Sequence, residues 1–349
     1  MKITQSIFGK TSDGQQVNLY TLSNDNQVTV KITNYGAIIT SIETPDSKGE
    51  IVNIACGFDK LEDYLSPEYL GSYPYFGCIC GRVCNRIGEG KFTLEGNNYA
   101  LAINNGPNHL HGGLVGYDKR IFSAEILEDA EKVGVKLSYL SPDTEEGYPG
   151  NLQVTCTLTL NNNNELALEY SAETDQATIV NLTNHTYFNL NGGKDLILDH
   201  ELQLTAKSFT ESEGMIPTGN IVSVERTPFN FLTKKKLGKD IAGLADGYDL
   251  NFVLDNPEGK MVYAGCLSEE TSGRNVEVYT TQPGIQLYTG YWIPELIVDG
   301  QKKFGRFSGV ALETQHYPDS VNKPEFPTVV LKPGEKLSEK TIYKFRVNN

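Results

Sequence analysis

Residues 152–170 read Leu-Gln-Val-Thr-Cys-Thr-Leu-Thr-Leu-Asn-Asn-Asn-Asn-Glu-Leu-Ala-Leu-Glu-Tyr. Val154, Cys156, Leu158 and Leu160 alternate with three threonines. A period of two puts the apolar side chains on one face of an extended chain and the hydroxyls on the other. Asn161 to Asn164 then interrupt the pattern, and Leu166, Leu168 and Tyr170 resume it. Asparagine favours turns, so the stretch predicts an antiparallel hairpin with one buried face. The same alternation recurs at Val28, Val30 and Ile32, at Val133, Val135, Leu137 and Tyr139, and at Thr341, Tyr343, Phe345 and Val347. Helical periodicity is scarce: residues 58–65 suit two turns, and residues 235–241 one or two more. Many antiparallel strands and few short helices predict an all-β protein, a large antiparallel β-sandwich. No internal repeat or linker divides the chain, so residues 1–349 are expected to form a single domain.

The formal net charge of -14 repels a polyanion, and no Lys/Arg stripe offsets it, so nucleic acid is not an expected partner. No segment approaches the roughly 18 apolar residues of a membrane helix, and the opening MKITQSIFGK lacks the apolar run of a secretory signal. A cytoplasmic protein without membrane association is expected. The six cysteines, Cys56, Cys78, Cys80, Cys84, Cys156 and Cys266, fit reduced structural thiols. Cys78, Cys80 and Cys84 have no second ligand pair at zinc-site spacing, and no metal site is expected.

Five histidines make each neighbourhood informative. His109 and His111 lie in Asn105-Gly-Pro-Asn-His-Leu-His-Gly-Gly113, where turn-forming residues indicate a loop or strand end facing a cleft. His-x-His spacing also suits metal ligation from one strand face, although no third ligand is evident. His185 lies among Asn181, Asn184 and Asn189 in an otherwise β-forming segment. Such groups form either a hydrogen-bonded core network or a polar site. Asp249 sits between aromatics in Gly-Tyr-Asp-Leu-Asn-Phe, Glu313 interrupts the apolar Gly-Val-Ala-Leu-Glu, and Arg86 is a candidate carboxylate partner or substrate clamp. There is no P-loop, dinucleotide fingerprint or Gly-x-Ser-x-Gly elbow.

Taken in order, several segments resemble the galactose mutarotase (aldose 1-epimerase) family. They are NYGA at 34–37, GRVCNRI at 81–87, NNGPNHLHGG at 104–113, SPDTEEGYPG at 141–150 and VNLTNHTYFNL at 180–190. GYDLNF at 247–252, EVYTTQPGIQLYTG at 277–290 and GVALETQHYPDSVN at 309–322 continue the series. The resemblance implies one large antiparallel sandwich and an enzyme that interconverts the α and β anomers of free aldohexoses such as galactose and glucose. Glu313 would then be the general base and His185 the general acid. His111 and Asp249 would bind sugar hydroxyls, with His111 also assisting at the ring oxygen, and Asn85, Arg86 and Gln282 would complete the pocket. No cofactor is implied, and the enzyme would act as a monomer or homodimer. Two residues depart from the family pattern. Leu250 stands where histidine is common, which bears on sugar preference, and Cys84 where alanine is usual.

Three other readings compete. An epimerase of hexose 6-phosphates would need an Arg/Lys cluster at the pocket mouth. A non-catalytic sugar-binding sandwich could dispense with the acid or base. A glycoside-processing enzyme would need a second catalytic carboxylate across the bond.

Overall fold

In the computed structural model, which describes residues 1–298 and 300–348, strands hold 47% of the chain and helices 8%. The hairpin read from residues 152–170 is present: Leu152–Asn161 pairs antiparallel with Glu165–Thr174. The Asn161 carboxamide oxygen accepts the N–H groups of Asn163 and Glu165 and so closes the turn. Asn162 and Asn164 reach outward instead, to Asp25 and Asn24 of another turn. Three of the four asparagine side chains therefore close this hairpin or tie it to the N-terminal sheet.

Three antiparallel sheets dominate. The largest has nine strands and runs spatially from Ser123–Glu128 through Lys132–Ser141, the hairpin, Leu337–Val347, Arg274–Thr280, Val262–Ser268 and Glu201–Leu204 to Lys235–Lys236. A six-stranded sheet follows the order Tyr187–Phe188, Val310–Gln315, Gly284–Tyr288, Asp249–Val253, Ser208–Glu213 and Ile216–Ser223. The first five strands, from Lys2–Lys10 to Ile51–Asn53, form a meander. Leu158, Leu168, Val278 and Tyr343 of the large sheet share one core with Phe252, Ile285, Leu287 and Leu312 of the six-stranded sheet. Between the two layers the Tyr343 hydroxyl donates to the Leu312 carbonyl at 3.1 Å, and the hydroxyls of Thr314 and Thr341 pair at 2.5 Å. The inward-facing hydroxyls are thus satisfied where they are buried, as a dry interface requires.

Both helix expectations need adjustment. Only Leu61–Tyr64 of residues 58–65 is helical, but a second helix, Pro67–Ser72, follows it. Ser66 caps that helix, its hydroxyl accepting the Tyr69 N–H, and proline at the first helical position completes a legible start signal. In residues 235–241 the helix is confined to Gly238–Ile241, because Lys235–Lys236 is taken up as an edge strand beside Glu201–Leu204. All six cysteines are unpaired, and all but Cys266 are buried.

Candidate functional site

Strand parity in the six-stranded sheet builds the site. Val310, Leu312 and Thr314 face the large sheet, so Ala311, Glu313 and Gln315 point to the opposite face. Register then aligns Glu313 with Gln286, and Gln286 with Asn251. One step along, Ala311 aligns with Tyr288, and Tyr288 with Asp249. Polar groups from three strands are thereby collected on one face. The Gln286 amide donates to Asp249 Oδ1 at 2.6 Å, fixing the carboxylate.

His185 reaches the same face from the edge. Thr183–Asn184 pairs with Ile79–Cys80, the His185 N–H donates to the Cys78 carbonyl, and Tyr187 pairs with Ala311. The three amides around it belong to the scaffold. Asn181 brackets the backbone of His316, Asn184 binds the Gly77 carbonyl, and Asn189 binds those of Asp195 and Ser308. Both readings of this segment are therefore realised, the network by the amides and the polar site by the imidazole.

The opposite wall comes from two loops. His111 and Asn85 exchange bonds: the His111 N–H donates to the Asn85 carbonyl, and the Asn85 N–H donates to His111 Nδ1 at 3.2 Å. An Nδ1 that accepts leaves the proton of the neutral ring on Nε2. Gly112 allows the approach, since a Cβ there would lie 1.8 Å from the Gly81 carbonyl oxygen. Tyr75, Asn85 and His111 all have left-handed backbones, at φ 58, 57 and 50°. Such strain, on the order of 1–3 kcal/mol for each residue, concentrates at functional sites. Arg86 donates to Asn105 at 2.9 Å and holds Nη1 4.0 Å from Asp249 Oδ2.

These groups surround a cleft of about 680 Å³, within the range of small-molecule sites. His185 Nε2 and Glu313 Oε1 are 3.6 Å apart, and the His111 and His185 rings meet edge to face at 5.2 Å. Glu313 is 2% exposed and His185 4%, and neither Glu313 Oε2 nor His185 Nδ1 has a hydrogen-bond partner. Burial drives the Glu313 carboxyl well above its usual range, with Asp249 adding to the rise and Arg86 opposing it. Burial also lowers His185 to about 4 and pushes His111 well below the ordinary imidazole value. Desolvation thus favours the neutral forms of Glu313, His185 and His111.

Six of the seven residues expected at the site are brought together: Glu313, His185, His111, Asp249, Arg86 and Asn85 all line the cleft. Gln282 does not. It lies where the chain crosses from the large sheet to the small one, fully buried, and its amide binds the Glu339 carboxylate and the Leu182 carbonyl. Gln286, four residues on and past the Pro283–Gly284 corner, borders the neighbouring recess and reaches the site only through its bond to Asp249. Leu250 faces the core, opposite Asp249, and borders a neighbouring recess rather than the cleft. Cys84 lies behind the site, donating to Gln315. The His-x-His pair is split, because His109 binds the Ala102 carbonyl and the Tyr148 hydroxyl. Tyr75, Lys119, Tyr187, Tyr288 and Trp292 also line the cleft and were not anticipated. Tyr187 shares the parity of His185, a signal present in the sequence.

Comparison with known proteins gives one answer. The family model for aldose 1-epimerase matches residues 18–344. Galactose mutarotase of Bos taurus is 43% identical over 99% of both chains. Aldose 1-epimerase of Escherichia coli is 34% identical over 95% of this chain and 96% of its own. The crystal structure of galactose 1-epimerase from Lactobacillus acidophilus superposes with a TM-score of 0.86 at 28% identity, covering 100% of this chain and 99% of that one. With the fold and nearly the full length in agreement, this chain belongs to the aldose 1-epimerase family.

Proposed function

We propose that this protein interconverts the α and β anomers of free aldohexoses such as galactose and glucose, with Glu313 as general base and His185 as general acid. The observation that carries this reading is the 3.6 Å separation of Glu313 and His185 in the wall of one cleft. Ring opening takes the proton from the anomeric hydroxyl and delivers one to the ring oxygen, breaking the bond between C1 and that oxygen. Rotation about C1–C2 presents the other aldehyde face, and reclosure returns both protons. The catalytic pair ends as it began, so no external proton is consumed. Each partner contributes roughly 10²–10⁴-fold. His111 donates from Nε2 to a sugar oxygen, while Asp249, held by Gln286, accepts from sugar hydroxyls beside Arg86 and Asn85.

A neutral sugar suits the cleft better than a phosphorylated one. Its two described lining cations are both engaged, Arg86 with Asn105 and Asp249, and Lys119 with Asp118 at 2.6 Å. The unpaired cysteines favour the reducing cytoplasm as its compartment. Among the described residues no helix is long and apolar enough to cross a membrane.

The direct test follows the optical rotation of freshly dissolved α-galactose and α-glucose with purified protein. Acceleration well above the buffer rate is expected, and no acceleration with either sugar would overturn the assignment. A second expectation separates the two glutamines. Gln286→Ala should raise KM about tenfold, the loss of one hydrogen bond that orients a charged group. Gln282→Ala should lower Tm and leave KM unchanged.

A further inference from the structure

The acid proposed above is held in an unusual way. A functional imidazole is commonly oriented by a hydrogen bond from its second nitrogen to a carbonyl or carboxylate. His185 Nδ1 is buried and has no such partner. What surrounds the ring is aromatic. Tyr75 stacks on it at 6.0 Å and 26°, Tyr187 lies at 4.8 Å, His111 at 5.2 Å and Tyr288 at 6.5 Å. Tyr75 also packs on His111 at 4.6 Å, so one phenol ring touches both imidazoles of the cleft.

Tyr75 is itself braced. Its ring meets Tyr73 edge to face at 4.7 Å, and Lys119 Nζ sits 3.9 Å over the Tyr73 ring. The lysine is anchored in turn at 2.6 Å by Asp118, which is fully buried. A tyrosine backbone at φ 58° persists only where its surroundings over-determine it. Cys78, whose thiol donates to the Tyr75 carbonyl, supplies part of that restraint.

We infer that Tyr75 is a positioning residue for the epimerase reaction, its ring fixing the orientation of His185 by stacking. The same ring excludes water from the imidazole. It thereby keeps His185 a strong acid once protonated, in accord with the lowering that burial produces. The other ionisable groups facing His185 are Glu313, His111, Tyr187 and Tyr288, with Arg86, Asp249 and Lys119 farther along the walls. This inference rests on the reading of His185 as the acid.

The test compares Tyr75→Phe, Tyr75→Leu and Tyr75→Gly in galactose mutarotation, together with titration of the His185 ring protons by NMR. Glycine adopts φ 58° without a Cβ, so the third variant removes the ring while suiting the backbone. Loss of alignment is expected to lower kcat on the order of 10²-fold in the Leu and Gly variants, with KM within about threefold. His185 is expected to titrate about one pH unit higher in both, because water reaches it. Tyr75→Phe should keep at least half of wild-type kcat, since the ring and not the hydroxyl does the positioning. Wild-type kcat with an unmoved His185 titration in the Leu or Gly variant would overturn the inference. So would a loss of activity in Tyr75→Phe equal to that in Tyr75→Leu, or a loss confined to KM. If His185→Asn proved fully active, the acid assignment itself would fail, an outcome distinct from failure of the Tyr75 variants alone.

Discussion

Glu313→Gln is expected to lower kcat/KM for galactose by about 10³-fold and, at the same time, to make the protein more stable in mild alkali. The first effect follows from removing the proposed general base while keeping the shape of its side chain. The second follows from linkage. The Glu313 carboxyl titrates well above 4.5 in the fold because burial penalises its charge. Above pH 4.5 the unfolded chain loses this proton while the native protein keeps it, so the native state binds more protons and stability falls as pH rises. Glutamine carries no charge to bury. The Tm of Glu313→Gln should therefore exceed that of wild type at pH 8, with the difference shrinking toward pH 4. Thermal scans at the two pH values, beside polarimetric rates, check both halves. Near-wild-type rates would remove Glu313 from the mechanism, and a lower Tm at every pH would mark it as structural.

That trade between function and stability explains which parts of the molecule were legible in the sequence. Strands with one wet and one dry face announce themselves, and the 152–170 hairpin came directly from its alternating threonines and aliphatics. Val310–Gln315 is buried along its whole length. Both of its faces are covered, so Glu313 could not be placed by alternation, and its assignment rested on resemblance to the family. His185 and Glu313 are 128 residues apart and meet because the segments around them are joined, Tyr187–Phe188 pairing with Val310–Gln315 and Asn181 bracketing the His316 backbone. No spacing rule in the sequence reports such a meeting. Gln282, which lies away from the cleft, shows the complementary limit. Gln282 and Gln286 lie in one motif, but a change of sheet at Pro283–Gly284 sends the first toward Glu339 and the second toward Asp249. The short helix Pro67–Ser72 is different, for its start is written locally, in Ser66 as the cap and Pro67 at the first helical position.

His185→Asn is expected to reduce kcat by about 10²–10⁴-fold while KM stays within about threefold, since an acid acts in the transition state and contributes little to ground-state binding. The pH dependence gives a sharper check. In wild type the active pair holds one proton. Burial moves His185 down to about 4 and Glu313 up, so that proton rests mainly on Glu313, and the reacting form, with the proton on His185, is the minor one. At low pH the pair is fully protonated and no base is left. At high pH the shared proton is lost and no acid is left. A bell-shaped kcat/KM profile results, and its apparent pKa values belong to the pair rather than to either residue. Asparagine cannot hold the proton, so the residual activity of His185→Asn should rise with pH as Glu313 ionises and then level off, without the alkaline decline. Polarimetric rates from pH 4 to pH 10 for both proteins separate the cases. A variant that kept the wild-type bell and lost only affinity would make His185 a sugar ligand, and the proton for the ring oxygen would have to come from His111, whose Nε2 is the other imidazole donor held at the cleft.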